Sequence, residues 1–121
     1  MDTPEEHVRQ RVARSLVEEY GYAKSDLALE YTIQLGRAKK KADIVIFSTR
    51  APHKVENINI IVEAKRESVK PSHADQGTAQ LHSYLSASPN SRFGMWVGSE
   101  IVSFEKAIDR GRIREPLNST T

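Results

Sequence analysis

The chain contains no cysteine, so it can build neither a disulfide nor a thiolate metal site. Its histidines, His7, His53, His73 and His82, are scattered without the paired spacing of a zinc site. Its apolar runs stop at about four residues, far short of the roughly 20 that a membrane-spanning helix needs. The opening MDTPEEHVRQ is polar and acidic, unlike a secretion signal. These absences predict a cytoplasmic protein with no membrane partner.

What remains is a chain of 121 residues with 38% hydrophobic and 28% charged positions, enough for one domain with one modest core. Its net charge of +2 is unevenly spread. The stretch from Arg37 to Lys70 carries +5, leaving −3 for the rest. A local basic surface suits a polyanionic partner, and it also fits an ordinary solvated face.

Hydrophobic spacing predicts a helix over residues 4–20. Thr3 can cap it, Pro4 suits its first turn, and Val8, Val12, Leu16 and Tyr20 form its apolar stripe. Gly21 ends it. Glu5 and Arg9 fall inside that stripe, where charge is costly unless paired, while Glu6, Gln10 and Glu18 point away. Residues 28–35 alternate, with Tyr31, Ile33 and Leu35 on one side, and read as a strand. A turn GRAKKK follows, then strands over 42–47 and 58–65 that look apolar on both faces. A second helix is predicted from Pro71 and Ser72 to about residue 86, with Ser72 as N-cap and Asp75 in its first turn. Strands RFGMWV and IVSF come next, separated by Gly98 and Ser99. The folded domain would thus span 1–106, with a polar tail or linker over 107–121. The order predicts an α/β fold: a mixed β-sheet with a central antiparallel meander, flanked by helices.

Three charged residues stand out because they are attached to apolar strands: Asp43 before IVIF, and Glu63 and Lys65 in IIVEAK. Antiparallel neighbours bring Asp43 and Glu63 to adjacent strand ends, and Glu63 and Lys65, two apart, share a face. Paired carboxylates suit a hard cation such as magnesium, and a lysine beside them suits charge developing on a phosphate. Strands that simply end at the solvent boundary would give the same D…ExK spacing. The second helix adds Gln80 and Tyr84 at i and i+4. That pair also fits the wetter edge of an amphipathic helix. Trp96 and the histidines read as packing or surface residues.

Taken together, a helix bearing an acid, a β-meander bearing D and ExK, and a following helix resemble the PD-(D/E)xK nuclease superfamily. More narrowly, TPEEHVRQ, ADIVIF, IIVEAK, QLHSY and RFGMWVGSEIVSF resemble the N-terminal nuclease domain of type I restriction enzyme R (motor) subunits. The likeness runs from about Thr3 to Phe104, and QLHSY matches the QxxxY element of such nucleases. The resemblance implies a restriction-endonuclease-like core and a metal-dependent DNA endonuclease, with a catalytically inactive nucleic-acid-binding module on the same fold as the alternative. It makes Asp43 and Glu63 ligands of Mg2+ (Mn2+ substituting), joined by the carbonyl of Ala64 and by Glu5, the helical acid. It makes Lys65 the catalytic lysine and brings Gln80 and Tyr84 to the active site and the DNA. Arg37, Lys39, Lys40 and Lys41 would then hold the DNA backbone by sequence-independent contacts. Alanine precedes Asp43 where the motif's name has proline. No P-loop GxxxxGK[ST] is present, so ATP dependence does not carry over. A translocase domain and specificity and methyltransferase subunits are the further partners implied.

Overall fold

In the computed structural model, residues 4–73, 77–106 and 113–114 are described. Thr3, Asp75 and most of the tail expected over 107–121 lie outside them. Strands β1 (Leu27–Leu35) and β2 (Ala38–Phe47) form an antiparallel hairpin closed by Gly36 and Arg37, with Leu35 opposite Ala38. Gly36 has φ +62, a backbone state that only glycine adopts without steric cost. The turn expected across GRAKKK is therefore two residues long, and Lys39, Lys40 and Lys41 belong to β2. Their long side chains stay solvated there, because β3 pairs with β2 only from Ile44 to Phe47.

Strand β3 (Ile58–Ala64) runs antiparallel to β2 and parallel to β4 (Phe93–Val97). Strand β5 (Ile101–Lys106) returns antiparallel to β4, and the two residues of β6 (Ile113–Arg114) pair with β5. The sheet is six-stranded, in the order β1-β2-β3-β4-β5-β6. Two parallel strands cannot be joined by a hairpin, and helix α2 (Thr78–Ala87) lies in the connection from β3 to β4. The α/β class, the mixed sheet and the central meander agree with the sequence reading.

The two helices take opposite faces of the sheet, which explains why the middle strands are apolar on both sides. Helix α1 (Pro4–Glu18) sets Leu16 against Ile44, Ile46 and Val62. On the other face, Leu81, Tyr84 and Leu85 of α2 pack with Ile33, Val45, Ile61, Trp96 and Phe104. Ile58, Ile61 and Val62 are fully buried, each contributing about 1.5–3 kcal/mol of apolar burial. Helix α1 stops at Glu18, and the chain turns through Gly21 at φ +79. Tyr20 consequently falls outside the helix and is exposed rather than extending the apolar stripe.

Helix α2 begins at Thr78 with Gly77 as its N-cap, not at Ser72. Residues 71–72 form a turn closed by a hydrogen bond from His73 N to Lys70 O (3.0 Å), and the start of α2 is tied back to it by Gly77 N to His73 O (3.0 Å) and Thr78 N to Pro71 O (2.9 Å). A side chain at Gly77 would lie 2.1 Å from Pro71 O, so only glycine fits this close return. At the other end of α2, the buried Lys106 ammonium donates to Leu85 O and Ser88 O, each at 2.8 Å. It thereby satisfies carbonyls that a helix C-terminus leaves without partners.

One irregularity matters for the site. Glu30, inside β1, has φ +53. The β1–β2 register runs on both sides of it, from Leu29↔Ile44 to Tyr31↔Ala42, but skips the Glu30/Asp43 position. Ala42 and Val45 both pack in the α2-side core although they are three residues apart, and Ile44 and Ile46 pack on the α1 side. Strict alternation would put Ala42 with Ile44. The strand faces therefore change over at Asp43.

Candidate active site

The β2–β3 ladder ends at Ile44↔Val62. Continuing that register brings Asp43 opposite Glu63, and there the side chains take over the pairing. Asp43 N–H donates to Glu63 Oε2 at 2.8 Å, and Ala64 N–H donates to Asp43 Oδ2 at 2.9 Å. Both carboxylates are thus fixed by the neighbouring strand's main chain. Lys65, beyond the end of β3, places Nζ 3.6 Å from Glu63 Oε1, and its own amide donates to Val97 O at 2.6 Å. Glu63 is only 2% exposed.

Two acids in so little water resist losing both protons. Burial, and then the charge of Asp43, pushes the Glu63 carboxyl up to about 7. Asp43 is also raised, chiefly by burial, against the opposing pull of the Ala64 amide, Lys65 and Arg9. Tyr84 is raised by burial and then by Glu63 and Asp43, which puts its phenol within reach of the charge of both. Its hydroxyl donates to Lys41 O at 3.0 Å. Gln80 is half-buried one turn earlier on α2. Glu5, half-buried in the first turn of α1, adds a repulsive contribution at Asp43. It does not complete a trio: among the described residues no three His, Cys, Asp or Glu side chains converge to hold a metal ion. The convergent set is therefore Asp43, Glu63, Lys65 and Tyr84, four of the residues singled out by sequence.

The family model for the type I restriction enzyme R protein N terminus matches residues 4–116. The chain belongs to this family. No curated protein and no solved structure matches it. The α/β architecture of this R-protein N-terminal domain is consistent with a restriction-endonuclease-like core. No helix among the described residues is long and apolar enough to cross a membrane.

Within the family domain, strand geometry separates the basic residues that sequence had grouped. Lys40 pairs with Ile33, whose side chain lies in the α2-side core, so Lys40 shares the face that carries Glu63 and Lys65. Lys39 and Lys41 pair with Gln34 and Thr32 and face the other way. Arg37 is in the exposed hairpin turn.

Sequence reasoning put Arg9 on the inward face of α1 but did not bring its charge to Asp43, whose carboxyl pKa it lowers against burial. Arg9 is paired with Glu6 and lies 3.6 Å from Glu30 Oε2. The inward Arg9 foreseen as needing a partner finds two, and Glu6, expected to point outward, is half-buried as one of them. The Glu30 contact joins α1 to β1 across 21 residues, which no local pattern announces. Trp96 is fully buried and His82 meets Phe104 edge-on at 4.5 Å, both as packing residues. His53 stacks on Phe47 at 4.2 Å and donates from Nε2 to Ser25 O at 2.9 Å.

Proposed function

We propose that this domain is a metal-dependent deoxyribonuclease that hydrolyses phosphodiester bonds as the cutting part of a type I restriction R protein. The observation that carries the proposal is the clasped pair Asp43 and Glu63 with Lys65 at 3.6 Å. The donor set fits magnesium. Two facing carboxylates are hard oxygen ligands, and magnesium commonly takes only one or two of them. Burial, and for Glu63 then the charge of Asp43, raises their proton affinity, so the ionised pair is costly in this setting and a divalent cation would offset that cost. Asp43, Glu63 and the Ala64 carbonyl would hold Mg2+, or Mn2+ in its place, with Glu5 as an outer contributor from α1. When bound, such a cation lowers the pKa of water and neutralises charge on a phosphoryl oxygen.

The chain's own side chains supply the rest. Lys65 directs a positive charge to where negative charge grows on the phosphoryl oxygens, and it can orient the attacking water. Backbone amides lock Asp43 and Glu63, so little reorganisation accompanies substrate binding. From α2, the fully buried Tyr84, with its hydroxyl on Lys41 O, would support the site from beneath, and half-buried Gln80, one turn earlier, would contact the nucleotide flanking the cut. Lys40 and the hairpin tip would hold the phosphate backbone without reading bases. In the whole assembly the domain would act beside a translocase and with specificity and methyltransferase subunits.

The test is nicking of supercoiled plasmid in magnesium or manganese, alongside thermal melting. Both cations should raise the melting temperature, because a ligand that binds only the folded state stabilises it. The isosteric double change Asp43→Asn, Glu63→Gln should abolish nicking and that rise together. DNA binding without nicking under any metal would instead make the domain an idle binding module.

A further inference from the structure

We infer that Glu30 is a positioning residue for Asp43: its left-handed backbone, braced by Arg9, turns the Asp43 carboxylate to the Glu63 side of the sheet. The inference deepens the proposed nuclease reading and rests on it. Beyond β-branched and bulky residues, glutamate too rarely adopts positive φ, and mid-strand such a state persists only when its surroundings enforce it. Glu30 adopts φ +53 inside β1, at the one position where the β1–β2 ladder is interrupted between paired neighbours. By that register its opposite number is Asp43.

The consequence can be read from the two cores. Toward the hairpin tip, Ile33 and Ala42 face α2; toward the other end, Val45 and Phe47 face α2. Continuous alternation from Ala42 would send Asp43 to the α1 side and carry Ile44 to the α2 side. Instead Ile44 lies in the α1-side core and Asp43 reaches Ala64 N–H at 2.9 Å. The change of face lets the hairpin tip keep its apolar contacts with α2 while Asp43 still meets Glu63. A one-residue slip elsewhere would sacrifice one or the other.

Arg9 is placed to hold the irregularity. Its guanidinium lies 3.6 Å from Glu30 and is 15% exposed, while Glu6 anchors it within α1. Its Nε is buried without a hydrogen-bond partner, so the group is retained there at a cost that its ion pairs must offset. Its charge also reaches Asp43. Helix α1 thus acts on the site through Arg9 and Glu30, as well as through the acid of its first turn.

The experiment compares Glu30→Gly with Glu30→Val in the full chain. Both remove the carboxylate, but glycine accepts positive φ freely and valine resists it. Two readouts are taken: protection of the Ala64 amide from hydrogen exchange without metal, and manganese affinity by calorimetry. Glu30→Gly should keep the Ala64 amide protected and bind manganese within about threefold of wild type. Glu30→Val should lose that protection and bind manganese at least roughly tenfold more weakly. If Glu30→Val does not fold, Glu30→Ala should likewise lose the Ala64 amide protection that Glu30→Gly keeps, and that readout decides. Wild-type amide protection in the folded valine or alanine variant overturns the positioning role. The predicted amide pattern in a protein that binds no manganese and cuts no DNA upholds the positioning of Asp43 and overturns the nuclease reading instead.

Discussion

Asp43 donates its amide hydrogen to Glu63 Oε2 at 2.8 Å, and its own carboxylate accepts from Ala64, the residue after Glu63, at 2.9 Å. The acids are therefore held by each other's strands and cannot swing apart to relieve their repulsion. This is a poor arrangement for stability and a good one for binding a cation, which ties the site's chemistry to a measurable property of the fold.

Stability without metal should fall as pH rises from about 4.5 to about 7. The folded chain keeps the Glu63 proton up to about 7, whereas the unfolded chain releases it near 4.5. Between those values the folded state binds more protons, so raising pH favours unfolding, by about 3 kcal/mol over the whole window. Asp43 is shifted in the same direction. Magnesium or manganese should remove most of the loss above pH 7, since the ionised pair is then its ligand. Chemical denaturation across this range, with chelator and with metal, checks both parts. A metal-free stability that is flat or rises through the window contradicts the paired-acid account.

The lysines of β2 should not contribute equally to DNA binding. Lys40 shares the face of Glu63 and Lys65, while Lys39 and Lys41 face away. Lys40→Gln should reduce the log-log salt dependence of DNA affinity by about one unit. The double change Lys39→Gln, Lys41→Gln should reduce it by less than that. A larger effect from the pair would place the DNA on the opposite face of the hairpin.

Lys106→Met should destabilise the domain by about 2 kcal/mol, because two carbonyls at the end of α2 lose a charged donor in a buried setting. Manganese affinity should be unchanged in the folded variant, as Lys106 touches neither acid. Urea denaturation and calorimetry measure the two effects. A stability loss under half that size would mean water replaces the ammonium.

Much of this was legible in sequence because it rests on strong local signals. The period-2 run YTIQL, the doubly apolar DIVIF and IIVEAK, and the stripe Val8, Val12, Leu16 report burial directly, and burial fixes those elements. Asp43, Glu63 and Lys65 were visible because charge on such strands is costly. Other features depend on tertiary contacts. Pro71 and Ser72 carry helix-start signals that suit a turn equally well, and the close return at Gly77 decides between them. The lysines of GRAKKK look like a loop because exposed strand positions are also polar. The left-handed backbone of Glu30 has no residue signature at all, since glutamate does not favour it. The burial of Lys106 has no local signal either, since its acceptors, the carbonyls of Leu85 and Ser88, come from the end of α2.

Lys65→Ala is the change that separates catalysis from binding. Lys65 Nζ lies 3.6 Å from Glu63 Oε1 and is 13% exposed, so it belongs to the site and not to the solvated surface. In the proposed reaction its charge is needed most when the phosphoryl oxygens are most negative, so its loss should slow the chemical step by about a hundredfold or more. The same charge helps keep Glu63 ionised, acting against burial and Asp43. Without it Glu63 should hold its proton to higher pH, and manganese binding should require a more alkaline medium. At alkaline pH the variant should bind manganese at least as well as wild type, since both acids are ionised and a repelling cation has gone. A structural role for Lys65 predicts neither the upward shift nor the recovery. Single-turnover cleavage and manganese calorimetry, each across a pH series, distinguish the cases. Equal cleavage rates in wild type and Lys65→Ala would remove Lys65 from the mechanism. A slowed variant whose manganese binding keeps the wild-type pH profile would leave Lys65 acting on substrate alone, without influence on Glu63.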